Sequence, residues 1–357
     1  MLRRIRERDQ ATSGALAQDA ELFLMRAASP KALAAAAAEM AKAAQSWDCG
    51  EFVLAARESA CDSRRGGSYS AAVVASDAGE LVASLAKLAF DIRLGMAPQT
   101  EGVFTGQTQK NFGIAVLFSG AAIPPFRGND LWSDRFVECR RINGEIAGLI
   151  DSAGDLPALK VRAVAAEFAG WKLLERCSIR PSMAMGSGAG ELLAFAAAGV
   201  VDEDDVLPLA ARMSSQSNLC MALQQSAFDD PALPVVSSVT GDVVQDGGKA
   251  KDLLVQQFSA SARPEQALAA IKADLLIDVS CNGEFVEAAL AQGRKAIAVK
   301  PHGGSVRGLL SAIGAAFAAG APVNAAALYE DRQMGPSRTA PSLQAVHLER
   351  EAGHLGA

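Results

Sequence analysis

Three glycines at alternate positions mark the part of the sequence whose pattern suggests chemistry. They are Gly186, Gly188 and Gly190, within the stretch MAMGSGAGELLAF at residues 183–195. A short apolar run precedes them and an apolar helical pattern follows, which predicts a tight strand-to-helix turn. Turns of this kind either bind phosphate on backbone N–H groups or present a nucleophile at their apex.

Neither chemistry fits the residues completely. A dinucleotide-binding fingerprint needs G-x-G-x-x-G, but Glu191 stands where the last glycine belongs, and its charge repels a pyrophosphate. A nucleophile elbow needs G-x-S-x-G, but its central position here is Gly188. Ser187 cannot serve after a one-residue shift, because Met185 would then replace the first glycine. A turn whose glycines only permit close packing is the third interpretation.

The composition excludes several classes of protein. The chain has 357 residues, 50% of them hydrophobic, and a net charge of -6. The sequence has no cluster of basic residues interleaved with aromatic residues, so it does not indicate nucleic-acid binding. The charged start is not followed by an apolar signal core, and no run is long enough for a membrane span, so we expect a cytoplasmic protein. Scattered cysteines and histidines predict neither a metal site nor a disulfide framework.

Predicted strands and helices alternate along most of the chain. A strand at Leu22–Arg26, a helix cap at Ser29-Pro30 and an Ala-rich helix are followed by a second strand-then-helix unit. Turn formers at 95–111 then separate this layer from the buried-strand run IAVLFSG at 114–120. MAM, PVVSSVTG, DLLIDVS and KAIAVKP are further strand candidates. The alternation predicts an α/β fold with an open, mostly parallel sheet after a small α/β layer.

The neighbourhood of the glycine turn resembles the malonyl- or acyl-carrier-protein transacylases and the acyltransferase domains of modular polyketide synthases. In that family a G-x-R-P-like turn and a strand lead to G-H-S-x-G-E, and an A-x-A-G-V segment precedes a helix that carries an arginine. The matching residues in this sequence are Ile179-Arg180-Pro181, the turn at 186–191 with Glu191 retained, Ala198-Gly199-Val200, and Arg212.

The resemblance extends along nearly the whole chain. IAVLFSG is similar to the family's first strand, VSSVTG to a late strand and turn, and DLLVQQFSASARPEQALAAI to a helical region with Gln257 at the family's glutamine. The resemblance implies an α/β-hydrolase-like core and a division into four segments. These are a lead-in at 1–15, a ketosynthase–acyltransferase adapter-like α/β domain at 16–108, an acyltransferase-like core at 109–325 and a post-acyltransferase tail at 326–357.

The family's catalytic residues are mostly absent at the matching positions. Its chemistry is acyl transfer, in which a serine attacks an acyl-CoA thioester, a histidine takes the proton, and N–H groups and a glutamine hold the oxyanion. The serine position is Gly188, the preceding histidine is Ser187, and the glutamine after the first strand is Ala121. Arg212 is retained, at the position that pairs with a malonyl carboxylate in the family.

The segment that should carry the general base is also missing. In the family the base histidine lies in an inserted ferredoxin-like subdomain between the arginine helix and the late strand. Residues 213–233 are all that join these elements here, and they contain no histidine. His302 follows a different strand, and His347 and His354 belong to the tail, so none of them suits the role by its position.

Two other patterns have structural explanations. The acidic run Asp202–Asp205 is typical of the first turn of a helix, where it complements the helix dipole. In PHGGSVRGLL, residues 301–310, Ser305 is predicted to cap a helix, which we favour over a phosphate site at the same turn.

The residues and the resemblance together predict a catalytically inactive acyltransferase-like protein. We expect it to dock onto a ketosynthase or another component of a polyketide- or fatty-acid-type synthase, with the acyl carrier protein as a further partner. The alternatives are an active acyltransferase or thioesterase with an unidentified nucleophile, and a protein that binds CoA or a phosphopantetheine thioester. No cofactor is expected. The residues predicted to keep residual anion or acyl contacts are Arg212, Gln257, Gly186, Gly190 and Glu191.

Overall fold

A computed structural model describes residues 18–63, 67–109, 111–122, 130–150 and 155–332. The predicted lead-in and the tail after residue 332 therefore lie outside the described residues, as do His347 and His354.

The chain divides into two compact units. The first contains the residues up to Thr108, residues 317–320 and the residues from Asn324 onward. The second contains residues 109–316 and 321–323.

The first unit is built on a three-stranded antiparallel sheet in the order β1-β2-β3. β1 and β2 pair along their full length, from Glu21 opposite Ala75 to Ala27 opposite Tyr69. The elements of this unit are β1 (Glu21–Ala27), α1 (Pro30–Ala44), α2 (Cys49–Asp62), β2 (Tyr69–Ala75), α3 (Ala78–Arg93), β3 (Val103–Gln107) and a 3-10 turn (Ala325–Tyr329).

Local signals explain where these helices begin. Ser29 caps α1 by accepting a hydrogen bond from the Ala32 N–H at 3.2 Å, and Pro30 occupies the first helical turn. Asp48 and Glu51 form a capping box at the start of α2, a helix that the sequence analysis did not predict.

One strand lies where a connection is predicted. The turn formers of 95–111 favour a linker, but the structure places β3 within this segment, where it pairs with β2. Gly102, at φ 73°, makes the turn before it. A Cβ on Gly106 would overlap the Ala318 carbonyl, so close backbone packing explains the glycine inside this strand.

The second unit contains a five-stranded parallel sheet in the order β6-β5-β4-β7-β8. Its strands are β4 (Ile114–Phe118), β5 (Met183–Gly186), β6 (Val235–Ser237), β7 (Leu275–Asp278) and β8 (Ala296–Ala298). Its helices are α4 (Leu131–Arg135), α5 (Val137–Ile150), α6 (Asp155–Arg176), α7 (Gly190–Ala197), α8 (Glu203–Arg212), α9 (Gln216–Gln225), α10 (Gly247–Gln256), α11 (Pro264–Ala270), α12 (Val286–Ala291) and α13 (Arg307–Ala318), whose last residues belong to the first unit. The predicted fold class, a mixed α/β protein with a mostly parallel main sheet, is confirmed.

The central strand β4 positions the candidate site. All five of its residues are buried, as expected of the unbroken apolar run IAVLF in a strand covered on both faces. The chain runs from β4 outward to β5 and β6, and then returns to place β7 on the other side of β4. Such a reversal of strand order creates a crevice at the carboxyl ends of the strands, where open α/β sheets bind their ligands. No helix in the described part of the chain has both the length and the apolar character to cross a membrane.

Candidate functional site

The glycine turn joins β5 to α7 at the carboxyl edge of the sheet. Gly188 lies at its apex with φ 53°, in the left-handed region that favours glycine. The Ser187 N–H donates to the Phe118 carbonyl at 2.9 Å, and the Gly190 N–H donates to the Ser119 carbonyl at 3.3 Å. These bonds hold the turn against the end of β4. The arrangement of strand, sharp turn and helix is that of a nucleophile elbow without an apex side chain.

The flanking glycines and the apex glycine have different surroundings. A Cβ on Gly186 would overlap the Cα of Glu191, and one on Gly190 would overlap the Phe118 carbonyl. A Cβ on Gly188 would meet a single backbone oxygen, at 3.3 Å. The flanks therefore require glycine because the backbones approach closely, whereas at the apex a side chain would meet one tight contact and a left-handed backbone.

Polar groups of the turn keep unused hydrogen-bonding capacity. Ser187 is 8% exposed, and its hydroxyl makes no hydrogen bond with any described residue. The N–H groups of Gly188 and Ala189 likewise donate to no described residue. In a nucleophile elbow the N–H that follows the apex is an oxyanion donor, and here that N–H belongs to Ala189.

Two residues suggested by the resemblance, Glu191 and Gln257, come together beside the turn. Glu191 is fully buried, and one of its oxygens accepts a hydrogen bond from the Ser237 hydroxyl at 2.6 Å. Burial raises the pKa of Glu191, and the Ser237 hydroxyl and the Gln257 amide oppose that rise by favouring the carboxylate. Glu191 Oε2 and Gln257 Nε2 are buried, and neither atom makes a hydrogen bond among the described residues. The Gln257 amide therefore favours the carboxylate because its dipole lies close to it, not through a formed hydrogen bond. Glu191 thus ties α7 to the end of β6.

A buried acid that the sequence analysis missed supports the loop after β4. Glu167 of α6 accepts hydrogen bonds from the N–H of Ser119 at 3.1 Å and the N–H of Gly120 at 3.0 Å. Burial, together with a smaller contribution from the charge of nearby Asp278, raises the pKa of Glu167 to about 8. The only sequence signal is a single acid inside the apolar pattern AVAAEFAG.

A second buried acid ends β7, on the other side of β4. Asp278 accepts hydrogen bonds from the N–H of Ser280 at 2.9 Å and the N–H of Phe285 at 2.8 Å. Burial raises its pKa to about 6. Asp278 therefore shapes the loop after β7, as Glu167 shapes the loop after β4.

His302 follows β8, which lies three strands from β5 in the sheet. Its ring is half-buried, burial lowers its pKa, and its Nδ1 has no hydrogen bond among the described residues. No hydrogen bond joins His302 to the glycine turn in the part of the chain that the structure describes. The structure therefore does not pair this imidazole with the apex of the turn.

The other residues suggested by the resemblance are not gathered at the turn. Arg212 ends α8 with an exposed side chain, and no acidic side chain of the described residues forms an ion pair with it. Ala121 follows the β4 loop and offers only its N–H, which donates to the Ser119 hydroxyl at 3.2 Å. Residues 213–233 are all described and form only α9 and its connections.

The two remaining local patterns have structural roles. Asp202 caps α8 by accepting from the Asp204 N–H at 2.9 Å, and the acids after it occupy the first turn. The Ser305 hydroxyl accepts from the N–H of Arg307, the first residue of α13, at 3.2 Å. Among the described residues, no group of three His, Cys, Asp or Glu side chains is arranged to hold a metal ion.

Comparison with known proteins identifies the fold. No protein-family model and no curated protein matches the sequence. The acyltransferase domain of the iterative polyketide synthase in enediyne biosynthesis matches with a TM-score of 0.73 and 21% identity, over 88% of this chain and 100% of that domain. The acyl transferase domain of ZmaA matches with a TM-score of 0.69 and 13% identity, over 90% and 99%.

The third similar structure is the acyl transferase domain of SpnD in complex with 2-(pent-4-yn-1-yl)malonyl. It matches with a TM-score of 0.67 and 16% identity, over 87% of this chain and 98% of that domain. At these identities the similarity shows the fold alone, which is that of the acyltransferase domains of polyketide synthases.

Proposed function

We propose that this chain is a non-catalytic acyltransferase-like protein that acts as a docking component of a polyketide- or fatty-acid-type synthase. The observation that carries the proposal is the glycine at the apex of an otherwise intact elbow. Acyl transfer through an acyl-enzyme needs a nucleophile at that point, activated by an adjacent base. Gly188 has no side-chain atom that can attack a thioester.

The surroundings of the turn support the absence of catalysis. Ala121 cannot supply the side-chain amide that the family uses at the oxyanion, and His302 makes no hydrogen bond to the turn among the described residues. Arg212 is exposed, with no contact to the turn among the described residues. The elements that shape the crevice are retained, while the groups that would perform chemistry in it are not.

An apolar patch on the first unit supports the docking part of the proposal. Phe90, Leu94 and Met96, at the end of α3 and just after it, are 57%, 57% and 52% exposed. Neighbouring exposed apolar side chains are typical of surfaces that bind other proteins. We interpret this unit as the adapter-like domain, with a ketosynthase as the leading partner and the acyl carrier protein as a further one.

The absence of catalysis is tested by intact-mass measurement after incubation with malonyl-, methylmalonyl- and acetyl-CoA. We expect no acyl adduct. The Ser187→Ala variant is the matched control, because Ser187 carries the hydroxyl nearest in sequence to the apex. A stoichiometric acyl adduct on the wild type that disappears in this variant would contradict the proposal.

The docking role is tested by titrating the chain with the ketosynthase and the carrier protein of its own pathway. We expect a complex with an interface on the order of 1,200 Å² or more. Leu94→Asp should weaken it at least about tenfold, since a charge in an interface core is costly. Met221→Asp is the control, because Met221 is 59% exposed but lies in the other unit. Equal weakening by both changes, or no complex with any component, would refute docking through this patch.

A second function, binding of a CoA or phosphopantetheine thioester without chemistry, is favoured by one observation. The N–H groups of Gly188 and Ala189 have no partner among the described residues, beside space for an apex side chain. Calorimetric titration with acetyl-CoA tests this function. The wild-type chain should bind acetyl-CoA saturably and form no covalent adduct, and Gly188→Ser should weaken that binding.

A further inference from the structure

Arg26, on β1 of the first unit, carries a charge without a counter-charge. Its guanidinium carbon lies 4.7 Å from the centroid of the Phe317 ring, and no acidic side chain of the described residues forms an ion pair with it. Its Nε is shielded from solvent and makes no hydrogen bond with any residue that the structure describes. Burial lowers the pKa of Arg26, which is the expected effect of desolvating a cation. The aromatic face compensates only part of that desolvation.

Ser70, on the neighbouring strand β2, is a second buried polar side chain without a hydrogen-bond partner among the described residues. The β1–β2 register places Ser70 opposite Arg26, so their Cβ atoms are about 4.5–5.5 Å apart on one face of the sheet. Ser70 is fully buried, and its hydroxyl has no hydrogen-bond partner among the described residues. Buried polar groups without partners are rare in folded proteins, and two neighbouring ones indicate a missing shared partner.

The third position of this cross-strand row offers no side-chain acceptor, and the backbone carbonyl beside it, that of Ala318, accepts no hydrogen bond from Arg26 or Ser70. Gly106 on β3 stands opposite Ser70, and a Cβ there would overlap the Ala318 carbonyl. The arginine can only donate hydrogen bonds, and the serine hydroxyl can donate one as well. The missing partner is therefore an acceptor, and the positive charge favours an anionic one.

We propose that Arg26 and Ser70 form a binding site for a small carboxylate. One carboxylate oxygen accepts from Arg26 Nε–H and the Ser70 hydroxyl, and the other accepts from a terminal N–H of the guanidinium. This two-pronged pairing is the arrangement in which arginine binds planar carboxylates most strongly. Both unpartnered atoms are shielded from solvent, so the ligand reaches them only after the guanidinium tilts on the Phe317 ring. The inference does not depend on the proposed function.

The test is a titration of the full-length chain, labelled with ¹⁵N-arginine, with sodium acetate replacing sodium chloride at constant ionic strength. We expect the Arg26 Nε–H signal, assigned from its loss in Arg26→Lys, to shift and saturate. The Nε–H signal of Arg57, an exposed arginine of α2, is the control and should not saturate. Ser70→Ala should weaken acetate binding at least threefold while the circular dichroism spectrum stays unchanged, because the hydroxyl holds no part of the fold.

Three results would overturn the proposal. The first is an Arg26 signal that moves no more than that of Arg57, or that moves linearly without saturation, which would leave Arg26 as a packing residue on Phe317. The second is displacement of acetate by a lower concentration of inorganic phosphate, which would assign the site to a larger oxyanion. The third is equal acetate affinity in wild type and Ser70→Ala, which would remove the serine from the site and contradict the two-residue geometry.

Discussion

Replacing the apex glycine tests whether the turn is a vacant elbow or a packing turn. Gly188→Ser restores a hydroxyl at the apex, where the new Cβ meets one backbone oxygen at 3.3 Å. The left-handed backbone costs a residue with a Cβ about 1–2 kcal/mol. The contact at 3.3 Å is tight but involves a single atom, so we expect a total loss of about 1–3 kcal/mol in the free energy of unfolding.

Gly199 provides the matched control. It follows α7 with φ 71°, and a Cβ there would have no heavy atom within 4 Å. Gly199→Ser therefore measures the backbone cost alone, about 1–2 kcal/mol. Urea denaturation followed by tryptophan fluorescence gives both values, since Trp171 packs against Phe118 with ring centroids 6.3 Å apart. The difference between the variants should be no more than about 1 kcal/mol.

The serine of Gly188→Ser should not make the chain catalytic. A hydroxyl without an adjacent base is a weak nucleophile at neutral pH, so Gly188→Ser should transfer no acyl group from malonyl-CoA to a carrier protein. A loss of more than about 4 kcal/mol relative to Gly199→Ser would show that the apex is closely packed, since that is the range of severe core disruption. Acyl transfer above the rate in buffer would show that a base acts at the turn. Either result refutes the vacant-elbow interpretation.

Three further predictions follow from contacts in the two units. Gly190→Ala should destabilise the chain by at least about 3 kcal/mol in urea denaturation, because its Cβ would overlap the Phe118 carbonyl. Glu167 has a folded pKa of about 8 against an ordinary value of 4.5, so its contribution to stability is present below pH 4.5 and is lost as the pH rises to about 8. Glu167→Gln removes that ionisation, and its stability relative to wild type should increase by up to about 1.4 kcal/mol per pH unit in denaturation curves between pH 5 and pH 8; a constant difference would contradict the raised pKa. Arg332→Gln removes the guanidinium that lies 2.6 Å from the buried Glu21 carboxylate, and it should lower the free energy of unfolding by about 3–5 kcal/mol. Adding Glu21→Gln in the same chain should recover part of this loss, because the buried carboxylate charge is then removed as well.

The main sheet was predictable because its strands contain short apolar runs. IAVLF, MAM and LLI are unbroken and are followed by helical patterns, as is typical of buried parallel strands. β3 was missed because its residues sit among turn formers, and its pairing with β2 outweighs that local preference. The antiparallel pairing of the small sheet could not be predicted either, because strand-then-helix repeats do not specify the direction in which strands pair.

The site was predictable only in its local part. The spacing of the glycines predicts the turn, and the resemblance to the acyltransferases indicates Glu191 and Gln257 as site residues. Glu167 was missed because its partners, the N–H groups after β4, lie 48 and 47 residues away in the sequence. A single acid in an apolar helix gives no sign of which distant backbone it will bind, and its pKa depends on burial that only the fold creates.

The contacts around the turn show that its shape does not depend on a side chain at the apex. The turn is held by flanking glycines that tolerate no Cβ, by hydrogen bonds to the end of β4, and by Glu191 bound to the Ser237 hydroxyl. None of these interactions involves a side chain at the apex. A change from serine to glycine at Gly188 would remove the nucleophile and relieve about 1–2 kcal/mol of left-handed strain without disturbing the contacts that fix the turn. The apex is therefore a position at which an elbow can lose its nucleophile while the contacts that fix the turn remain in place.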